Sequence, residues 1–249
     1  MKFSELFKTK KFAFLPYVCL GYPTFEKSLE IVRTLEPYAS GFELGIPFSD
    51  PVADGPVLQH ASHESLQNGF KVSRTFDAIR AIRSSTQKPI AIMTYLNPVL
   101  AYGLDRFVAD AHTAGADALI VPDAPLEEIA PIQDACAGKL EVPLFVTPTT
   151  TAKRAENIAK AAQGFVYGIA ITGVTGARES AAIDVESLVA KASGKPLVVG
   201  FGVSNALHAR AIQDAGAAGF IVGSKIVQTY DEGGLDAVVR LAESLRLKS

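Results

Sequence analysis

Residues Phe42 to Gln59 read FELGIPFSDPVADGPVLQ, a short apolar run, a loop of Gly, Pro and Asp, and the start of a helix. In Gly41-Phe42-Glu43-Leu44-Gly45 the strand period of two sends Phe42 and Leu44 to one face and Glu43 to the other. If helices cover the apolar face, Glu43 must point into the interior. Burying an unpaired carboxylate is costly, and the usual response is a raised pKa that lets the group hold a proton near neutral pH. Such a group suits general acid/base work. Further on, Ala53-Asp54-Gly55-Pro56 reads as a turn into a helix whose first position is Pro56 and whose cap is Gly55, which leaves the Asp54 side chain free to face the same way. Asp54 can equally be a turn or capping aspartate, whereas Glu43 has no comparable local role.

The same strand, loop and helix unit recurs along the chain. The strand candidates are Ala13 to Cys19, Gly41 to Leu44, Pro89 to Thr94, Ala118 to Val121, Pro143 to Val146, Phe165 to Ile169, Pro196 to Gly200 and Gly219 to Val222. The helix candidates are Phe25 to Leu35, Pro56 to Asn68, Ser73 to Ser84, Leu104 to Ala114, Leu126 to Ala137, Ala152 to Ala162, Val185 to Ala192, Asn205 to Ala215 and Leu235 to Leu247. Thr24 and Ser204 suit helix caps, and Gly115 and Gly216 suit helix stops. The strands are too uniformly apolar for a sheet wetted on one side, so they read as parallel strands buried on both faces. Eight such repeats without a linker point to a closed (β/α)8 barrel occupying residues 1–249 as one domain, although a doubly wound open sheet shows similar alternation. In a barrel the chemistry lies in the loops after the strands; here those after the second and sixth strands are long and read as lids. The arm before Phe12 is short and is expected to cover the barrel bottom thinly.

Composition narrows the partners. With 249 residues and 48% apolar content the chain can bury a large core, and 24 basic against 26 acidic residues leave no electrostatic footprint for nucleic acid or an anionic membrane. A small-molecule substrate and a soluble, unprocessed cytoplasmic protein are expected. Cys19 and Cys136 have no metal or redox spacing and read as buried thiols. The histidines fall on helix candidates with no convergent third ligand, so no metal is expected. No lysine lies inside a strand candidate, which argues against a Schiff-base aldolase.

Three glycine-bearing segments follow the last three strands: Thr172-Gly173-Val174-Thr175-Gly176-Ala177-Arg178, Gly200-Phe201-Gly202-Val203-Ser204 and Gly223-Ser224-Lys225. Barrels often gather a phosphate with the last two such loops and the amino end of a short extra helix, where exposed N–H groups and the helix dipole favour an anion. Relief of crowding in the barrel is the alternative for Gly200 and Gly202. Tyr17, Tyr95, Tyr167 and Phe201 lie in or at the ends of strands and can form an aromatic slot or ordinary core.

ELGIPFSDPVADGP, with TGVTGAR, GFGVS and GSKIV, resembles the tryptophan synthase alpha subunit family over almost the whole chain. The resemblance implies a (β/α)8 barrel that cleaves indole-3-glycerol phosphate to indole and glyceraldehyde 3-phosphate. It also implies an alpha2-beta2 complex in which indole passes to a beta subunit carrying pyridoxal phosphate, with no cofactor in this chain. By the same resemblance Glu43 is the general acid/base and Asp54 engages the indole N–H. Tyr95 and Tyr167 line the indole pocket with Tyr17 at its rim, and Phe201 joins the substrate-binding set. Gly176, Gly202, Gly223 and Ser224 form the phosphate site, Thr175 links the closed loop to Asp54, and Asp50 and Pro51 touch the beta subunit. Two readings of other classes stay open at this point: a non-catalytic activator of the partner, and a different phosphate-handling barrel.

Overall fold

The structure is a computed structural model describing residues 1–169, 185–200 and 202–246. Its strands are β1 (Ala13–Cys19), β2 (Phe42–Gly45), β3 (Ile90–Met93), β4 (Ala118–Ile120), β5 (Leu144–Val146), β6 (Val166–Ile169), β7 (Leu197–Gly200) and β8 (Gly219–Val222). They form one parallel eight-stranded sheet in the order β4-β3-β2-β1-β8-β7-β6-β5. A parallel bridge between Ala118 and Glu141 joins β4 to the segment entering β5. There Leu119 N–H donates to the Glu141 carbonyl and Glu141 N–H to the Asp117 carbonyl, both at 2.9 Å. The sheet therefore curls into a nearly closed barrel, as expected, and the open-sheet alternative falls. Each strand lies within one residue of its sequence-based bounds.

The helices are α1 (Phe3–Thr9), α2 (Phe25–Leu35), α3 (Pro56–Gln67), α4 (Val72–Arg83), α5 (Leu96–Tyr102), α6 (Leu104–Ala114), α7 (Ala130–Cys136), α8 (Ala152–Ala161), α9 (Val185–Lys191), α10 (Ala206–Asp214) and α11 (Ser224–Leu245). Five points differ from the sequence reading. The helix expected over Leu126 to Ala137 splits into a 3-10 turn at Leu126–Glu128 and α7, because Pro131 is tolerated only in a first turn. Asn205, not Ser204, caps α10, its Oδ1 accepting from His208 N–H at 3.0 Å. Helix α5 has no counterpart among the helix candidates, and α11 joins a short helix from Ser224 to the expected one from Leu235 across the non-helical pair Gly233 and Gly234. Finally, the N-terminal arm is no thin cover: α1 buries Phe3 and Leu6, and the Phe3 and Phe7 rings pack on Phe165 at 5.4 and 5.9 Å.

Two apolar layers result. Phe42 and Leu44 join the layer between sheet and helices. Tyr17 and Ala91, register partners of Glu43 on either side, belong to the layer inside the barrel. Strand alternation thus carries Glu43 inward, into a filled interior rather than a pore. No helix among the described residues is long and apolar enough to cross a membrane.

Candidate active site

At the carboxyl ends of the strands a cavity of 380 Å³ is lined by Glu43 and Asp54, by Tyr17, Met93, Phe145 and Tyr167, and by Gly202, Ser204, Gly223 and Ser224. Glu43 is 2% exposed and its Oε2 has no hydrogen-bond partner among the described residues. Burial, and then the negative charge of Asp54, push its carboxyl up to about 8. It therefore holds a proton at neutral pH.

Asp54 reaches the cavity from the turn before α3, where Gly55 caps the helix without a side-chain bond and Pro56 takes the first turn. Burial raises its pKa, while a hydrogen bond from Tyr95 acts in the opposite sense. Tyr95 Oη donates to Asp54 Oδ2 at 2.9 Å and accepts from Ala53 N–H at 3.0 Å. The two carboxyls thus differ in kind: one is unpartnered and neutral, the other is held by a donor that favours its charge.

Tyr95 itself does not line the cavity. It follows β3 at the cap of α5, is 1% exposed, and stands behind Asp54 against Phe48, ring centroids 5.4 Å apart. The expectation of a pocket wall is corrected to a support for the carboxylate, because strand alternation stops at Met93. Tyr17 lines the cavity and is 4% exposed. Its ring crosses β2 so closely that a Cβ on Gly45 would lie 2.0 Å from its hydroxyl. Tyr167 lies across β7 in the same way, 2.3 Å from where a Gly200 Cβ would sit, and packs on Phe145 at 4.7 Å. Gly200 thus answers to crowding, whereas Gly202, with φ at +80° in the left-handed region, lines the cavity. Gly223 caps α11 and Ser224 begins it, so the unpaired N–H groups of that first turn sit at the cavity edge.

Thr175, Gly176 and Phe201, with the rest of the loop after β6, lie outside the described residues. On the loop after β2, Asp50 is exposed and accepts from Ser49 Oγ at 2.6 Å, but Pro51 is buried; Val52, 78% exposed, is the apolar residue that faces out. Met93, Phe145 and Lys225 line the cavity without having been singled out as site residues. The first two carried a signal, since Met93 has the inward parity of Ala91 and Phe145 is the register partner of Tyr167. Both cysteines are buried thiols pushed up to about 12 by burial. His60 pairs with Glu64 at 3.3 Å and His63 with Gln67 at 2.9 Å, side chains of α3 itself.

Known proteins share this architecture. The family model for the tryptophan synthase alpha chain matches residues 3–247. The tryptophan synthase alpha chain of Methanosarcina mazei is 43% identical, with 93% of this chain and 86% of the relative covered. That of Picosynechococcus is 39% identical over 98% and 96%. Among solved structures, the tryptophan synthase a2b2 complex of Pyrococcus furiosus contains a chain that superposes with a TM-score of 0.86 at 33% identity, covering 94% of this chain and 96% of that one. A ligand-free tryptophan synthase of M. tuberculosis gives 0.88 at 31%, covering 98% and 96%. With a barrel of this topology, two unlike carboxyls at its mouth and a match along nearly its whole length, the chain belongs to the tryptophan synthase alpha chain family.

Proposed function

We propose that this chain cleaves indole-3-glycerol phosphate to indole and glyceraldehyde 3-phosphate, with Glu43 moving the proton and Asp54 holding the ring nitrogen. One observation carries the assignment: a proton-holding carboxyl, pushed up to about 8, shares an apolar cavity with a second carboxyl supported by Tyr95. The reaction needs both forms. Neutral Glu43 gives its proton to ring carbon C3, and ionised Asp54 accepts the indole N–H and offsets the positive charge that spreads to that nitrogen. The carbon–carbon bond to the glycerol chain then breaks as Glu43, now a carboxylate, removes the proton of the adjacent hydroxyl. An aldehyde forms, indole leaves with the donated proton at C3, and the proton taken from the hydroxyl leaves Glu43 neutral again. Gly202, Gly223 and Ser224 suit the phosphate through backbone N–H groups and the end of α11.

The cycle uses only these two carboxyls, with no cofactor in this chain. As in the complex from Pyrococcus furiosus, we read the chain as the alpha partner of an alpha2-beta2 assembly. Indole would pass to a pyridoxal-phosphate-dependent beta subunit, and Asp50 and the neighbouring Val52 are the outward residues of the loop that would meet it. A purely activating role is disfavoured, because an activator gains nothing from keeping Glu43 buried and unpartnered. The deciding experiment is indole release from indole-3-glycerol phosphate by the full chain, with and without the beta subunit. Release in both, faster with the partner, is expected; none in either would overturn the reading.

A further inference from the structure

We propose that Lys225 supplies the full positive charge that holds the phosphate of the substrate, in addition to the backbone groups around it. The proposal rests on the lyase reading above and deepens it. Lys225 is the second residue of α11 and lines the cavity with Gly223 and Ser224. Among the described residues around that cavity it is the one cation, set against the acids Glu43 and Asp54.

No carboxylate or carbonyl partner of its ammonium is found among the described residues. Three other half-buried lysines are engaged: Lys88 pairs with Glu36 at 3.0 Å, and Lys191 donates to the carbonyls of Thr147 and Pro148 at 3.3 and 2.5 Å. Lys195 donates to the carbonyl of Ala162.

Its place on the helix is locally unfavourable as well. The amino end of a helix carries partial positive charge, so a cation there raises the energy of the empty site. The first turn of α11 holds no acidic residue to offset it. An anion at the cavity edge would reverse both effects, meeting the dipole and the ammonium together. It would also relieve a conflict of the site, since a phosphate dianion entering near Asp54 meets like charge. The ligand class is therefore a phosphate monoester on a short carbon chain, with the indole end of the substrate indifferent to Lys225.

Calorimetric titration of the full chain with glycerol 3-phosphate and, separately, with indole tests this. Lys225→Met, which keeps side-chain length and removes charge, is expected to weaken glycerol 3-phosphate about tenfold to a hundredfold, with indole affinity changing less than about twofold. Lys225→Arg is expected to restore most of the phosphate affinity, and in turnover the methionine variant should raise KM with little change in kcat. Unchanged glycerol 3-phosphate binding in Lys225→Met, or a joint loss of both ligands, would overturn the role of Lys225. Either result leaves wild-type indole release, and so the lyase reading, intact. A wild-type chain that binds glycerol 3-phosphate through Lys225 yet releases no indole would sink the lyase reading instead.

Discussion

The two ends of the barrel treat polar groups in opposite ways. At the amino end of the strands, Arg83 donates to the carbonyls of Gly115 and Lys88 and pairs with Asp117, which also accepts from Ile90 N–H at 2.9 Å. Lys88 pairs with Glu36 beside it, and the rings of Phe3, Phe7 and Phe165 fill the floor. At the carboxyl end, Glu43 keeps an unpartnered oxygen, Asp54 is raised by burial, and two tyrosine rings lie across glycine backbone. The floor satisfies its polar groups internally and so holds the ring together. The mouth leaves them for a substrate to satisfy, as expected where barrels keep stability and chemistry at opposite faces.

Glu43→Gln is the substitution that should separate the ends most. With the proton carrier gone, cleavage should fall by about a hundredfold or more, and Asp54→Asn should do likewise through the ring nitrogen. An indole-release assay measures both; near-normal rates would dissolve the contrast. In the wild type, activity should decline as pH rises through about 8, where Glu43 loses its proton. Stability should fall with rising pH as well, but over a wider window. The folded Glu43 carboxyl titrates near 8 against an ordinary value of 4.5, so between those values the unfolded chain is ionised while the folded one holds a proton. Folding is therefore progressively disfavoured as pH rises across that window, by on the order of a few kcal/mol in full. Glutamine has no such penalty, so the melting temperature of Glu43→Gln should gain on the wild type between about pH 5 and pH 9. A constant gap would mean that Glu43 is not held neutral.

Much of this was legible because parallel strands buried on both faces leave an apolar signal, and because a lone acid of inward parity breaks it at Glu43. What escaped did so for physical reasons. The seven residues of α1 are too few to show a helical period, and α5 opens on Leu96-Asn97-Pro98, residues that read as a turn. Resemblance places Tyr95 in the pocket, and its position near a strand end leaves slot and core equally open; β3 ends at Met93, and the Tyr95 hydroxyl bonds Asp54. Pro51 carried no sign of its burial; its loop reads as exposed from composition alone. Thr175 is assigned only by resemblance, and Gly176 and Phe201 rest on a glycine-bearing segment and an aromatic near a strand end, signals without strand parity to fix them.

Arg83→Ala should break the floor without touching the mouth. It leaves Asp117 and two carbonyls without their donor, with the Arg83 and Asp117 side chains only 17% and 13% exposed. A loss of roughly 2–4 kcal/mol is expected by chemical denaturation. KM for indole-3-glycerol phosphate should stay within about twofold, because no cavity residue moves. A KM change in step with stability would show that the two ends are coupled.

The smallest expected effect probes the difference between the two carboxyls. Tyr95→Phe removes the donor that favours the charge on Asp54 and leaves Ala53 N–H without its acceptor. A carboxylate that loses a hydrogen bond binds its proton more tightly, so the pKa of Asp54, already raised by burial, should climb further. Since Asp54 must be ionised to hold the indole nitrogen, the acid limb of the kcat/KM profile should shift towards neutral pH. The alkaline limb belongs to Glu43, which makes no bond to Tyr95, and should stay in place. Above the shifted limb the loss should be about tenfold or less, the worth of one hydrogen bond to a charged group. If both limbs move together, the carboxyls titrate as one coupled pair and their separate roles cannot stand; if neither moves, Tyr95 is packing alone.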